Sequence, residues 1–522
     1  MSEEKKYIMA LDEGTSSCRT LIIDKEGKIT GIHQIDIPQH YPPQSGWVEH
    51  DALGIWNNQL TTMQQALNKS NIKSNQIEAI GITNQRETTV VWNRDTGLPI
   101  YNAIVWQDRR TADYCEELAK KRWKEKIHKK TGLLIDSYFS ATKIKWILDN
   151  VKNARELAKK GKLAFGTIDS WLIYKMTNGI ENNVEKTKHV IDITNASRTM
   201  LFNINTKKWD EELLELFNIP KNMLPEVVPS SGKIGTTYKG MLFQNDEQEI
   251  PITASIGDQQ AALFGQLCLT PGEIKNTYGT GCFILMNIGN TPLFSKQGLL
   301  TTIAYQLSGE EPVFALEGSV FIAGAAVQFL RDQLRMLYRS DESLWYSQIV
   351  DPKEEQRIYV VPAFVGLGAP YWDSTARGAI FGLERGTKRE HIVKGTIESL
   401  AYQSQDVILA MQADVKLNKD LKDLKIKIKV DGGASNNSYI MQFQSDITRT
   451  NLIKPKNTET TAMGTAYLAG LAIGFWNIND IKKINKIEKE YKPIMIEKKA
   501  ETFYKGWQEA VKRTRGWTTS IK

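Results

Sequence analysis

The stretch YIMALDEGTSSCRTLIID, Tyr7 to Asp24, runs apolar, breaks at Gly14 among small hydroxyl residues and turns apolar again after Arg19. That pattern predicts two strands joined as a hairpin with a polar tip. Near the middle it returns: in EIKNTYGTGCFILMNIG, Glu273 to Gly289, a strand breaks at Gly279-Thr280-Gly281 and resumes at Phe283. With one hairpin some 265 residues after the other, the chain reads as two similar halves, a domain duplication rather than a short-repeat solenoid. Elsewhere β-rich runs such as IEAIGITNQRETTVVW alternate with helical stretches such as YFSATKIKWILDNVKNARELAKK. This alternation predicts α/β layering, mixed sheets covered by helices. The boundary is placed near Gly265, which divides the chain into 1–265 and 266–522. The segment from about Asn477 to Lys522 is lysine-rich and reads as helix-like.

Composition supports two substantial domains. At 522 residues, with 41% apolar and 24% charged positions, the chain exceeds what one hydrophobic core usually supports. Neither a membrane-length apolar run nor the apolar core of a signal peptide stands out, so a cytoplasmic protein without membrane insertion is expected. The four cysteines, Cys18, Cys115, Cys268 and Cys282, show no metal-binding spacing and fit reduced thiols. A net charge of +7 raises the question of nucleic acid, and AKKRWKEKIHKK, Ala119 to Lys130, is the densest basic stretch. Glu125 interrupts that run and its lysines recur around one helix, so it reads as a solvated face, with no nucleic-acid partner expected.

The hairpin tips carry the first candidate chemistry. Gly14 permits a tight turn, and Thr15, Ser16 and Ser17 offer backbone N–H and hydroxyl donors with little bulk, a nest suited to phosphate oxygens. Asp12, at the end of the first strand, is a hard oxygen ligand placed to hold Mg²⁺ directly or through water, and Arg19 can reach a charged oxygen. A plain β-turn explains a single such tip equally well. The second tip has the same chemistry, and two tips facing each other could grip the β- and γ-phosphates of a nucleotide. A third piece, IKIKVDGGASNNSYIMQFQSD, reads as a strand, a Gly432-Gly433 turn open to a flat base, and a helix that Asn or Ser could cap. P-loop, Rossmann and protein-kinase fingerprints are missing from the sequence.

Tyr138 to Asn150 resembles the first signature of the FGGY family of sugar and polyol kinases, and Gly378 to Glu398 resembles the second. Gly395 stands where that second pattern has Ala or Ser, which reads as a looser helix contact. The resemblance runs nearly end to end and implies an α/β fold of two actin-like (ribonuclease H-like) ATPase domains with a cleft between them. It assigns the glycerol site and first hairpin to 1–265, and the second hairpin and adenosine site to 266–522. The segments SGWVEHD, ITNQRETTVVW, NAIVWQDRRT, DITNASRT, IGDQQAALFGQ and ALEGSVFIAGAAVQFLRD resemble those of family members acting on glycerol.

That resemblance implies ATP-dependent phosphorylation of glycerol to sn-glycerol 3-phosphate, with ATP and Mg²⁺ required and a dimer or tetramer as the assembly. Arg86, Glu87, Tyr138, Asp258 and Gln259 are implied to surround glycerol, with Trp106 and Phe283 as apolar walls and Asp258 as general base. Taken alone, Asp258 reads as a helix cap and Arg86-Glu87 as surface charge. Asp12 and Asp258 are implied near Mg²⁺; Thr15, Ser16, Ser17, Arg19 and Thr280 near the phosphates; Gly324, Gln328, Gly433 and Asn437 near the nucleoside. Closure of the halves is expected to exclude water. Alternatives are a kinase of the same family for another polyol or sugar, and a noncatalytic actin-fold ATPase.

Two departures bear on the site. Asp12-Glu13-Gly14-Thr15 replaces the family's Asp-Gln-Gly-Thr, and Cys18 replaces a Ser before the arginine. Glu13 is expected to add negative charge beside the phosphates unless it points away or pairs. The loop GKIGTTYKGMLFQNDEQEIPI lacks both the family's fructose 1,6-bisphosphate motif and its phosphorylated histidine, so neither control is expected.

Overall fold

The computed structural model describes residues 6–121, 123–177, 186–351 and 357–520. Two large mixed sheets organise it. The first has six strands in the order 231–236, 251–257, 77–84, 7–13, 17–24, 29–36. Its three central strands, Pro251–Gly257, Ile77–Asn84 and Tyr7–Glu13, run parallel. The second has seven strands in the order 300–305, 313–320, 282–289, 273–278, 427–432, 452–455, 487–491, again with three parallel neighbours, Glu273–Tyr278, Lys427–Gly432 and Leu452–Pro455. Each sheet thus joins a parallel trio to an antiparallel hairpin, and both hairpins lie where the sequence pattern puts them.

Strand Tyr7–Glu13 is buried along its whole length, which explains its unbroken apolar run: a central strand has no solvent face. Met9 and Leu11 enter a core with Ile22, Ile55 and Trp171. Ile8 and Ala10 face the opposite core, shared with Ala462, Ala466 and Ala469. Those alanines belong to helix Thr460–Ala472, a segment of the second half that packs on strands 7–13, 77–84 and 251–257 and crosses helix Asp258–Gly265. At this crossing, a methyl group on Gly265 would stand 1.9 Å from the Thr460 carbonyl oxygen, and one on Gly464 1.9 Å from that of Ala261. Only glycine allows two backbones so close.

Four expectations need correction. The basic run Ala119–Lys130 spans two helices, Ala112–Lys120 and Lys124–Thr131. Within it, Lys130 pairs with Asp210 at 2.6 Å and Glu212 at 2.8 Å, so nearby acidic side chains already engage part of that charge. The stretch after Asn477 is mixed: strand Ile487–Tyr491 pairs with Leu452–Pro455 at the sheet edge before helix Glu497–Thr514. The loop after Ser231 begins as edge strand Ser231–Thr236. Finally, Gly395 makes a tight contact, because a Cβ there would lie 2.6 Å from the Ile358 carbonyl oxygen.

All four cysteines are buried and unbridged. No helix among the described residues is long and apolar enough to cross a membrane.

Candidate active site

The parallel strands of the first sheet end along one edge, and three candidate segments leave from it. Asp12 and Ile256 flank Thr83 from opposite sides, so Asp12 and the chain entering Asp258 stand about two strand spacings, or roughly 10 Å, apart. Between them, Gln85 leads into Arg86 and Glu87. The first hairpin tip is held over this edge: the Gln85 amide nitrogen Nε2 donates to the Gly14 carbonyl at 3.0 Å, and the Trp106 indole donates to Thr15 Oγ1 at 2.8 Å. Asp12 and Arg19 face each other in the hairpin register and form an ion pair, and Arg19 also donates to Glu459 at 2.7 Å.

Glu13 points the other way. Strand alternation puts it on the face of Met9 and Leu11, beside its cross-strand partner Cys18. It is wholly buried, and neither carboxylate oxygen has a hydrogen-bond partner among the described residues. Burial first, then the charge of Asp12, raises its pKa well above the ordinary value, which favours the uncharged acid over the carboxylate. The side chain thus points away from the tip, the exception that the sequence reading allowed.

Beyond the strand ends lies a cluster of buried charge. Glu317, from strand Val313–Val320 of the second sheet, accepts from both terminal nitrogens of Arg86, at 2.6 and 3.0 Å. Arg198 bridges Glu87 at 2.6 Å and Glu317 at 3.1 Å. Arg86 Nε faces Asp258 at 3.4 Å and Glu87 at 3.9 Å, and Nη2 is 3.4 Å from the Tyr138 hydroxyl. Lys275 donates to Gln259 Oε1 at 2.5 Å and Thr277 Oγ1 at 2.9 Å. Glu87 adopts a left-handed backbone, φ 60°, a strained state for a residue with a side chain that the surrounding ion pairs must hold in place.

Three cations, Arg86, Arg198 and Lys275, here meet three carboxylates, Glu87, Glu317 and Asp258. Burial alone would raise the pKa of Glu317, but Arg198 and Arg86 outweigh it and hold the group down at about 2. For Asp258 burial wins over Arg86, with Glu87 adding to the rise, and its pKa is pushed up to about 6. Burial lowers Lys275 to about 8 against the pull of Asp431 and Asp258. The side chains of Arg86, Glu87, Arg198 and Glu317 are at most 1% exposed, whereas that of Asp258 keeps 27%. Of these ion-paired groups, Asp258 is the one that opens to the outside. Trp106 makes edge contacts with Tyr138 and with Phe283, ring centres 5.5 and 6.5 Å away. The aromatic wall therefore draws on both halves.

Asp258 opens helix Asp258–Gly265, and its Oδ1 accepts from the Gln259 backbone at 2.7 Å. Gly257 is the N-cap and no side chain caps this helix, so the cap reading of Asp258 from the sequence is not met; Asp258 is the first helical residue and meets Arg86. Arg198, Glu317, Lys275 and Gln260, whose Oε1 accepts from Arg86 at 3.2 Å, were not singled out there. One signal for Glu317 was available: a single charge inside a largely apolar strand, as in VFALEGSV.

The second tip is organised differently. The carbonyls of Gly279 and Thr280 accept from the amides of Gly324, Ala323 and Ala325 at 3.0, 2.8 and 3.1 Å. Gly324 is thereby fixed at the tip, with Gln328 exposed one turn along the same helix. Strand register sets Tyr278 beside Gly432, so Gly433 emerges next to this tip. Apart from its two chain neighbours, no atom of the described residues lies within 4 Å of where a Gly433 Cβ would be. The Asn437 side chain caps helix Ser438–Thr448, accepting from the amides of Tyr439 and Ile440 at 3.0 and 3.2 Å, and donates to Ser343 at 3.3 Å. Its cap reading is the one these contacts display.

Residues 7–265 match the model of the FGGY family of carbohydrate kinases, N-terminal domain, and residues 274–473 match that of the C-terminal domain. The chain belongs to this family of carbohydrate kinases. Among curated relatives, the glycerol kinase of Mycoplasma capricolum is 56% identical over 523 residues, covering 100% of both chains. That of Treponema denticola is 54% identical, covering 98% of this chain and 100% of the relative. A crystal structure of Plasmodium falciparum glycerol kinase with ADP superposes with a TM-score of 0.89 at 35% identity, covering 98% of each chain. A ligand-bound xylulose kinase from Lactobacillus acidophilus shares the fold, with a TM-score of 0.86 at 20% identity over 99% of this chain and all of the other. The two sheet-and-helix bodies are the actin-like ATPase fold of these kinases, and the protein is an enzyme of phosphoryl transfer.

Proposed function

We propose that this kinase transfers the γ-phosphoryl group of ATP to a terminal hydroxyl of glycerol, giving sn-glycerol 3-phosphate and ADP. The observation that carries the reading is the charge-balanced cluster whose most open ion-paired member is Asp258, walled by Trp106, Tyr138 and Phe283. A triol needs acceptors for its hydroxyl protons and donors for its oxygens. Asp258 and Glu87 offer acceptors; Arg86, Tyr138 and Gln259 offer donors; the rings cover the carbons. Such a site disfavours an alcohol that lacks one hydroxyl, because a buried partner is then left unmatched.

In the step itself, Asp258 accepts the proton of the attacking hydroxyl as the new oxygen–phosphorus bond forms and the bond to the β,γ-bridging oxygen breaks. With a pKa of about 6, it is mostly ionised at neutral pH yet basic enough to take a proton. Arg86 orients the hydroxyl while Glu317 and Arg198 hold Arg86 and Glu87 still. Thr15, Ser16, Ser17 and Thr280 face the phosphate oxygens with hydroxyl and backbone donors, and Arg19 adds charge. Gly324, Gln328, Gly433 and Asn437 border the nucleoside, where the open space before Gly433 suits a flat ring.

Among the described residues, no group of three or more His, Cys, Asp or Glu forms a metal cage. The hard oxygens of Asp12 and Asp258 fit Mg²⁺, which usually keeps waters and phosphate oxygens for its other positions. When bound, the ion neutralises charge developing on the phosphates. Asp12 and Asp258 would hold it, directly or through water.

The reading is tested by phosphorus NMR of reactions containing ATP and glycerol, dihydroxyacetone, xylulose or no acceptor. Glycerol should give product fastest, and Asp258→Ala should lose it. A faster sugar would reassign the acceptor pocket, and ATP hydrolysis unchanged by any acceptor would leave a noncatalytic actin-fold ATPase.

A further inference from the structure

The acceptor pocket draws most of its proposed polar contacts from the first half, but one of its amides is oriented by a buried charge from the second. Lys275 lies on strand Glu273–Tyr278 and is wholly buried. Its ammonium donates to Gln259 Oε1 at 2.5 Å and to Thr277 Oγ1 at 2.9 Å. An ammonium has donors and no acceptor, so the Gln259 oxygen must face it and the NH₂ end must face away. Gln259 follows Asp258 directly at the start of helix Asp258–Gly265, so the fixed amide stands next to the proton acceptor. Removing an ammonium from water costs several kcal/mol, and an apolar side chain of similar length would fill the same space without that cost.

Resting on the glycerol reading above, we propose that Lys275 is a positioning residue: it locks the Gln259 amide so that the acceptor site meets one hydroxyl of the substrate with a donor only. A locked donor is left unpaired when that hydroxyl is absent, which penalises diols. An amide released from Lys275 can turn over and present either end, and the penalty falls. Lys275 thereby sets specificity through Gln259 without touching the substrate.

The test is steady-state kinetics with glycerol, propane-1,2-diol and propane-1,3-diol, read as the preference for glycerol, the ratio of its kcat/KM to that of the better diol. Lys275→Met should lower the preference by about tenfold or more, with the KM for ATP changed by less than about threefold. In a Gln259→Ala background the same substitution should change the preference by less than about twofold, because its effect runs through that amide. An unchanged preference in Lys275→Met, or its full effect repeated in the Gln259→Ala background, overturns the assignment. Should Lys275→Met fail to fold, Gln259→Glu reads the same contact: the carboxylate keeps an acceptor for Lys275 and loses the donor. Its preference should fall by a similar factor, and an unchanged value overturns the proposal. If the wild type phosphorylates none of the three alcohols, the glycerol reading fails and this one with it; if it favours glycerol and the ratio never moves, only the role of Lys275 falls.

Discussion

The proposed acceptor end of the cleft and the proposed nucleoside end are built in different ways. At the acceptor end, buried side chains from both halves hold one another in a balanced network, and Arg86 alone touches Glu317, Gln260, Asp258 and Tyr138. Around the second tip and the proposed nucleoside end, backbone contacts such as the two helix amides on Thr280 are joined by the uncharged Asn437 cap, and space is left open before Gly433. A small polyol offers only a few hydroxyls for recognition, so donors and acceptors fixed in advance favour it. A nucleotide brings a large surface and its own charge, so an uncharged face that leaves room is enough.

The comparison can be tested from its strongest expected effect downwards. Asp258→Asn should cut kcat by about 10²–10⁴-fold, the usual range for losing a positioned base; a near-normal kcat would move the base elsewhere. Arg86→Met leaves Glu317 with Arg198 as its remaining arginine partner and should cost about 3–5 kcal/mol, as expected when one partner of a buried pair is removed. Calorimetry would show it as a lower Tm.

Acid unfolding probes the same network. The folded pKa of Glu317, about 2, lies below its ordinary 4.5, so its stabilising contribution is complete above the ordinary value and is lost as pH falls toward the folded one. Glu317→Gln should flatten that part of the stability curve, and an unchanged slope would place the acid sensitivity in other carboxylates. At the proposed nucleoside end, Gly433→Ala adds a Cβ that, apart from its chain neighbours, meets no atom of the described residues within 4 Å, so stability should hold within about 0.5 kcal/mol, whereas the KM for ATP should rise by about tenfold. The smallest effect belongs to Glu13→Gln: because the side chain points away from the tip and burial favours its uncharged form, the KM for ATP should shift by less than about twofold.

Much of this architecture is legible in the chain because its signals are local. A glycine between apolar runs marks each hairpin, and strand alternation follows from side-chain periodicity. What the sequence withholds is distance. Arg86 and Glu317 lie 231 residues apart, and Glu87 and Arg198 lie 111 apart, so nothing near either residue names its partner. Glu13 shows the same limit in charge: the letter is an acid, and only its burial reveals the raised pKa. Gly395 shows it in packing, because a missing side chain reads equally as slack or as close approach until the Ile358 carbonyl is seen against it. Helical composition after Asn477 likewise hides an edge strand, since lysine and glutamate at a sheet margin are chosen for solvent.

Helix Thr460–Ala472 has a consequence for how the protein is made. It covers Ile8, Ala10, Ala79, Ala254 and Ile256, yet roughly 200 residues must be translated after that sheet's last strand before the helix appears. At about 5–20 residues per second, the nascent first half waits roughly 10–40 s with an apolar face uncovered. Its folding on the ribosome is therefore provisional, and that face is where a holding chaperone would bind.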